Sequence, residues 1–376
     1  MVKKRKVKVK KKATGFKNSK SFYLFLFLVF LNIILVLLVL GQSKGFFVPK
    51  QPGPIIVDNT IDLDDLSLQQ KIAQMTVVLG VKYYSGALKK MQLGGIHLHT
   101  LADEQVFRST ITHFQKDMKV PFMVTVDLEG CVNPFAHYRN FTAAKNITTV
   151  GQAFEKGKIE GKYLKDLGVT VNFAPVVDLD DQIWNCRSFP GGKENISELA
   201  NSYILGLQDE GIMGTIKHYP GQTLVIKDPH KYLAAAEITN QDLYPYQKLS
   251  ERTSTKAVMV SHLITYGKVN SEGKPSVASQ KIINHLKKDV GFKGMVISDE
   301  INMQGMKKFY PTLDEMYVDV FKAGSDVILN FNTDPNEIHR MIKVIEKAVW
   351  KGDIDEDKID ESVRKILRFK GFKVVD

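Results

Sequence analysis

The chain has 376 residues, 44% of them hydrophobic and 25% charged, a globular composition that excludes a disordered protein. The length is too great for one small module and too short for three ordinary domains. Its net charge of +11 is concentrated: ten Lys or Arg and no acid stand in residues 1–20, Lys44 and Lys50 follow, and the remaining 326 residues sum to −1. The basic balance therefore belongs to a tail, and no nucleic acid is expected as a partner of the folded part.

From Phe22 to Leu40 the chain is apolar except for Asn32. As a helix this run would be about 28 Å long, close to the thickness of a bilayer core. The Lys/Arg cluster before it marks the cytoplasmic side. The run exceeds the usual apolar region of a cleaved signal, and Val39-Leu40-Gly41 makes a weak cleavage site. The expected layout is a basic cytoplasmic tail over 1–21, a transmembrane signal-anchor over 22–41, a linker over 42–60 and a single domain over 61–376. Gly45, Pro49, Pro52, Gly53 and Pro54 suggest a short, partly stiff stalk for that linker. A cleaved signal is the alternative, and both readings export residues 42–376.

Further along, short β-branched or apolar runs alternate with amphipathic stretches. Candidate strands are 75–79, 95–98, 122–126, 169–173, 214–217, 257–260, 294–298 and 327–330. Helical patterns between them include 67–74, 104–118, 156–167, 197–210, 279–288 and 335–349. Eight such units in about 315 residues suit an α/β (β/α)8 barrel of the TIM type. An open doubly wound sheet is the alternative, but no Gly-x-Gly-x-x-Gly follows the first strand.

A barrel places chemistry just past the C-terminal ends of its strands. Polar residues do gather there: Asp127 and Glu129, Asp178 and Arg187, Lys217 and His218, His262, and Asp299 with Glu300. There is no Ser or Cys nucleophile elbow, which disfavours acyl transfer. Asp299 alone could simply cap a helix, the commoner use of Asp at such a position. More informative is Lys217-His218-Tyr219-Pro220-Gly221 followed by Asp228-Pro229-His230. An Asp beside a His can fix its tautomer and stabilise the imidazolium in acid/base work.

The stretch from Lys217 to Gly221, with Asp228 eleven residues after Lys217, resembles the signature of the β-N-acetylglucosaminidase (β-hexosaminidase) branch of glycoside hydrolase family 3. Leu66–Met75, Leu93–Leu98, Asp127–Gly130, Asn172–Asp178, Arg187–Phe189 and Val296–Glu300 agree with it in order, so the likeness covers roughly residues 62–372. It implies a retaining exo-glycosidase that hydrolyses terminal GlcNAc from peptidoglycan-type fragments or other glycans. Asp299 matches the nucleophile, His230 the general acid/base and Asp228 its partner. Asp127, Arg187, Lys217 and His218 match residues that hold the sugar.

The resemblance implies no cofactor, no metal and a carbohydrate substrate; with the N-terminal apolar run, a membrane-anchored, extracytoplasmic monomer is expected. Because a His adds no negative charge when it acts as base, attack by phosphate is feasible, and phosphorolysis or another β-glycoside specificity is the first alternative. A catalytically silent glycan-binding protein is the second. Departures from the family pattern are Gln222 and Thr223 after Gly221, Pro229 between Asp228 and His230, and Cys131 in place of a second Gly. An Arg usual after that Gly is missing, and Arg139 is a candidate substitute.

Three smaller features complete the reading. His97 and His99 alternate on a strand with their rings on one side, a spacing zinc can use, although no third ligand has the expected spacing. Cys131 and Cys186 both follow strand ends, where either a disulfide or two free thiols is possible. Tyr219, Trp184 and Phe189 could stack on a sugar face or pack in the core.

Overall fold

The computed structural model describes Ser19 to Val375, apart from Phe46, Gln182, residues 223–231 and Thr253. Eight parallel strands dominate it: β1 (Thr76–Leu79), β2 (Gly95–His97), β3 (Met123–Val126), β4 (Val171–Asn172), β5 (Met213–Tyr219), β6 (Ala257–Val260), β7 (Met295–Ser298) and β8 (Ile328–Asn330). The ladder runs β7-β6-β5-β4-β3-β2-β1-β8. Its remaining seam is bridged at Ile297 and Val327, where the Ser298 amide donates to the Val327 carbonyl at 2.8 Å. The sheet is thus a nearly closed barrel. Its strands are buried almost throughout, which is why they read as continuous apolar runs rather than alternating ones.

A helix follows each strand: α1 (Ser85–Lys90), α2 (Glu104–Gln115), α3 (Val150–Leu167), α4 (Lys193–Asp209), α5 (Asn240–Ser250), α6 (Gln280–Asn284), α7 (Leu313–Ala323) and α8 (Pro335–Trp350). Their starts follow from local chemistry. Thr149 and Thr239 form capping boxes on α3 and α5, and Asp334 caps α8 with Pro335 at its first position. Helices α3 and α4 approach closely because each offers a glycine at the crossing. A Cβ on Gly206 would stand 2.1 Å from the Phe154 carbonyl oxygen, and one on Gly157 2.2 Å from that of Tyr203.

All eight expected strands are present, with ends within two residues of those expected. The helix expected over 279–288 is α6 followed by a π-helical turn over His285–Asp289. Two strand pairs lie outside the barrel. Ala235–Ile238 runs parallel to Ile264–Gly267, and Thr60–Asp62 runs parallel to Lys373–Val375 at the N-terminal end of the barrel.

An apolar helix, Ser19–Ser43, precedes the barrel, and its side chains from Phe22 to Leu40 are exposed apart from a half-buried Ile34. It is long and apolar enough to cross a membrane. Residues 42–60, expected to be a stalk, lie along the barrel instead. Gly45 packs on Ala87 and Pro335, Val48 is buried, and the Gln51 amide donates to the Lys90 carbonyl at 2.8 Å. Gln70 reaches the Pro52 carbonyl and Lys119 the Pro54 carbonyl. The prolines and glycines that read as a partly stiff stalk thus belong to a segment packed against the helices.

Candidate active site

The C-terminal ends of the strands surround a cleft of about 200 Å³, lined among others by Asp127, Glu129, Trp184, Arg187, Lys217, His218, Gln222, Asp299, Glu300 and Phe331. That is below the range of drug-sized pockets and suits about one sugar ring. Four elements bring the charged groups together. Asp127 and Glu129 leave β3, Arg187 lies on the loop after β4, Lys217 and His218 end β5, and Asp299 leaves β7.

The backbone between the first two carboxylates is fixed from below. The Asn172 side chain accepts from the Leu128 amide and donates to the Leu128 carbonyl, both at 2.8 Å. Lys217 Nζ then bridges the pair, at 2.6 Å from Asp127 Oδ1 and 2.7 Å from Glu129 Oε1. Arg187 grips Glu129 with two nitrogens, Nη2 donating to Oε1 at 2.9 Å, and its guanidinium lies over the Trp184 ring at 4.4 Å. Burial opposes every one of these charges, yet the opposite charges outweigh it. Lys217 and Arg187 are held above their usual pKa by Asp127 and Glu129. Asp127 is held below by Lys217, and Glu129, between Arg187 and Lys217, falls to about 2.

His218 Nδ1 stands 2.9 Å from Asp178 Oδ2. A carboxylate has no proton to give, so Nδ1 carries the hydrogen and Nε2 is left to accept from Arg187 Nη2 at 3.4 Å. Asp178 also accepts from the Gln222 amide at 3.0 Å. The loop carrying Arg187 is organised by Asp181, whose carboxylate takes the amides of Trp184, Cys186 and Arg187. A Cys131–Cys186 disulfide joins it to the loop after Glu129. The Cys in place of Gly at 131 thus has a structural partner one residue from Arg187.

Across the cleft, Asp299 Oδ1 accepts from the Glu300 amide at 2.7 Å, and Oδ2 lies 3.1 Å from His262 Nδ1. Burial disfavours charge on His262, but Asp299 outweighs it and raises the His262 pKa. Glu300 has a raised pKa through burial and accepts the amides of Asn302 and Phe331, tying the loops after β7 and β8. His97 is stacked between Phe173 and Phe331, with Nδ1 2.9 Å from Thr125 Oγ1 and Nε2 3.6 Å from Asp127 Oδ2. Burial lowers its pKa to about 3. The His97 and His99 rings do lie together, 4.7 Å apart; among the described residues no group of three metal-ligating side chains includes them.

Of the seven site residues expected from the sequence, Asp127, Arg187, Lys217, His218 and Asp299 line this one cleft. Asp228 and His230 lie outside the described residues. Arg139 is not among the residues that line the cleft; its guanidinium lies over the Tyr163 ring at 4.2 Å. Tyr219 and Phe189 are core residues, fully or almost fully buried against Tyr246 and Tyr203 respectively. Glu129, Asp178, His262 and Glu300 are the site residues that were seen at strand ends but given no role.

Residues 67–369 match the glycosyl hydrolase family 3 N-terminal domain. The chain belongs to glycosyl hydrolase family 3. It is 28% identical over 331 residues to the beta-hexosaminidase LpqI of Mycobacterium tuberculosis, an alignment covering 81% of this chain and 83% of that protein. The solved structure of M. tuberculosis LpqI superposes with a TM-score of 0.75 at 25% identity, covering 82% of this chain and 95% of the other. A family 3 β-N-acetylglucosaminidase from a Paenibacillus species gives 0.72 at 26% identity, over 81% of this chain and 62% of that one.

Proposed function

We propose that this protein is a membrane-anchored, retaining exo-β-N-acetylglucosaminidase acting on terminal GlcNAc of peptidoglycan-type fragments or related glycans. The observation that carries the reading is the single sugar-sized cleft in which Asp299 faces the paired charges of Asp127, Glu129, Arg187 and Lys217. The β-hexosaminidase relatives support the choice of sugar. The exposed apolar helix behind a basic tail supports the anchor, and the barrel domain would run from residue 61 to the end.

In this mechanism an Asp299 carboxylate oxygen attacks the anomeric carbon and forms a glycosyl ester. The bond to the leaving oxygen breaks as that oxygen takes a proton from His230, with Asp228 stabilising the ring. Water then gives its proton to His230, attacks the same carbon and releases Asp299. Asp127, Lys217, Arg187 and His218 hold the sugar hydroxyls, their own pairing keeping them in place before substrate arrives. His262, beside Asp299, keeps the nucleophile ionised and oriented. Gln222 lines the cleft, and Asp228 and His230 follow it in the chain by six and eight residues.

The test is release of nitrophenol from 4-nitrophenyl β-GlcNAc and β-glucoside, with and without phosphate. GlcNAc-selective turnover should vanish in Asp299→Asn, while His230→Ala should lose roughly 10²- to 10⁴-fold. Acceleration by phosphate would replace hydrolysis with phosphorolysis. A folded protein inactive on both sugars would remove the catalytic reading.

A further inference from the structure

The anchor helix meets the barrel on a particular side. Strand β1 ends at Leu79, so the turn Lys82–Tyr84 lies at the C-terminal face, and Pro335 and Asn336 begin α8 at that same face. The end of the apolar helix docks there. Asn336 Nδ2 donates to the Gln42 carbonyl at 2.7 Å, Lys44 Nζ lies over the Tyr83 ring at 4.6 Å, and Gly45 is wedged between Ala87 and Pro335. Only from this point does the chain descend between α1 and α8 to reach Lys90 at the opposite end through Gln51. The apolar helix therefore leaves from the rim of the face that holds the cleft. Pro335 is four residues from Phe331, which lines the cleft.

The tether is also short and fixed. Ser43 ends the helix, Gly45 is already packed and Val48 is buried, so the chain meets the barrel within two residues of the helix end. Around the junction are Lys44 and Lys82, both exposed, and the aromatic rings of Phe47 and Tyr83, each 57% exposed. Aromatic rings with adjoining lysines are the composition that settles at the headgroup level of a membrane.

We propose that the catalytic mouth of the barrel rests on the phospholipid headgroup layer through the rim of Lys44, Phe47, Lys82 and Tyr83. The enzyme would then take glycan ends held beside the membrane, while its opposite end points away. This rests on the anchor reading above, and the two fail differently. The full chain is reconstituted in phosphatidylcholine/phosphatidylglycerol vesicles as Tyr83→Cys or Lys351→Cys, Lys351 being exposed at the far end of α8. With Cys131 and Cys186 bridged, the new thiol takes an environment-sensitive fluorophore, which is read against headgroup spin-labelled lipid.

Quenching several-fold stronger at position 83 than at 351 is expected. That contrast should collapse when a Gly/Ser spacer is inserted after Ser43, while turnover of soluble 4-nitrophenyl β-GlcNAc is unchanged. Equal quenching at both positions, or more at 351, in a chain that resists alkaline extraction overturns the orientation alone. Recovery of a soluble chain shortened near Gly41 overturns the anchor and the orientation together.

Discussion

The Cys131–Cys186 disulfide closes a sequence separation of 55 residues and joins the two loops that deliver Glu129 and Arg187 to the cleft. Replacing both with serine frees those loops. In the chain-entropy account a loop of this length is worth about 14 cal/mol/K, or about 4 kcal/mol at 25 °C. A barrel of this size shifts by roughly 2 °C per kcal/mol, so Tm should fall by about 8 °C. The effect on catalysis should be selective. Asp181 still organises the Arg187 loop through three amides, so Arg187 remains nearby but less well fixed, and KM for the GlcNAc substrate should rise more than kcat falls. Thermal unfolding and steady-state kinetics of the Cys131→Ser/Cys186→Ser protein, beside the wild type with and without reductant, measure both. A double variant with unchanged Tm and KM, beside a wild type indifferent to reductant, would refute the idea that the bridge braces the site.

Four further outcomes are expected. Glu129→Gln leaves Lys217 and Arg187 short of a buried counter-charge and should cost about 3–5 kcal/mol by urea unfolding at pH 7. Because the Glu129 pKa is lowered to about 2 in the fold, its stabilisation is complete above the unfolded value near 4.5 and disappears as pH falls towards 2, so the gap between the two proteins should close over that range. Buried His97, lowered to about 3, contributes stability present above pH 6.5 and lost between there and 3; His97→Gln should reduce the slope of stability against pH by about 1.4 kcal/mol per pH unit in that window. Gly206→Ala drives a Cβ into the Phe154 carbonyl and should lower stability by about 1–3 kcal/mol with kcat/KM little changed, since the α3/α4 crossing is outside the cleft.

The strands were legible because a sheet covered on both faces needs unbroken apolar runs, and Ala257–Val260 was delimited to the residue. Helix α1 was not, since six residues carry under two turns of periodicity. Helix α5 contains Pro245 in its second turn, where the ring removes the amide that would bond the Gln241 carbonyl and so weakens the helical pattern. The pairing of Ala235–Ile238 with Ile264–Gly267 depends on contacts 29 residues apart that no local pattern encodes. In the site, residue type and strand-end position pointed to Asp127, Lys217, His218 and Asp299. The Glu129–Arg187 pair needed the distance between two loops, as did the disulfide. Arg139 looked suitable by charge, but its choice of Tyr163 is a matter of packing.

The order in which this chain is made bears on how the barrel finishes. Strand β8 is the neighbour of β1, and Thr60–Asp62 pairs with Lys373–Val375, three hundred residues later. The first segments to emerge therefore find their partners only when the last ones are available. During synthesis, β1 presents a bare strand edge and the early helices lack one side of their packing. Such a chain has little reward for partial folding and a long exposure to wrong partners. Covalent continuity limits that hazard, since the N-terminal segments meet their own C-terminus at an effective concentration set by the chain that joins them.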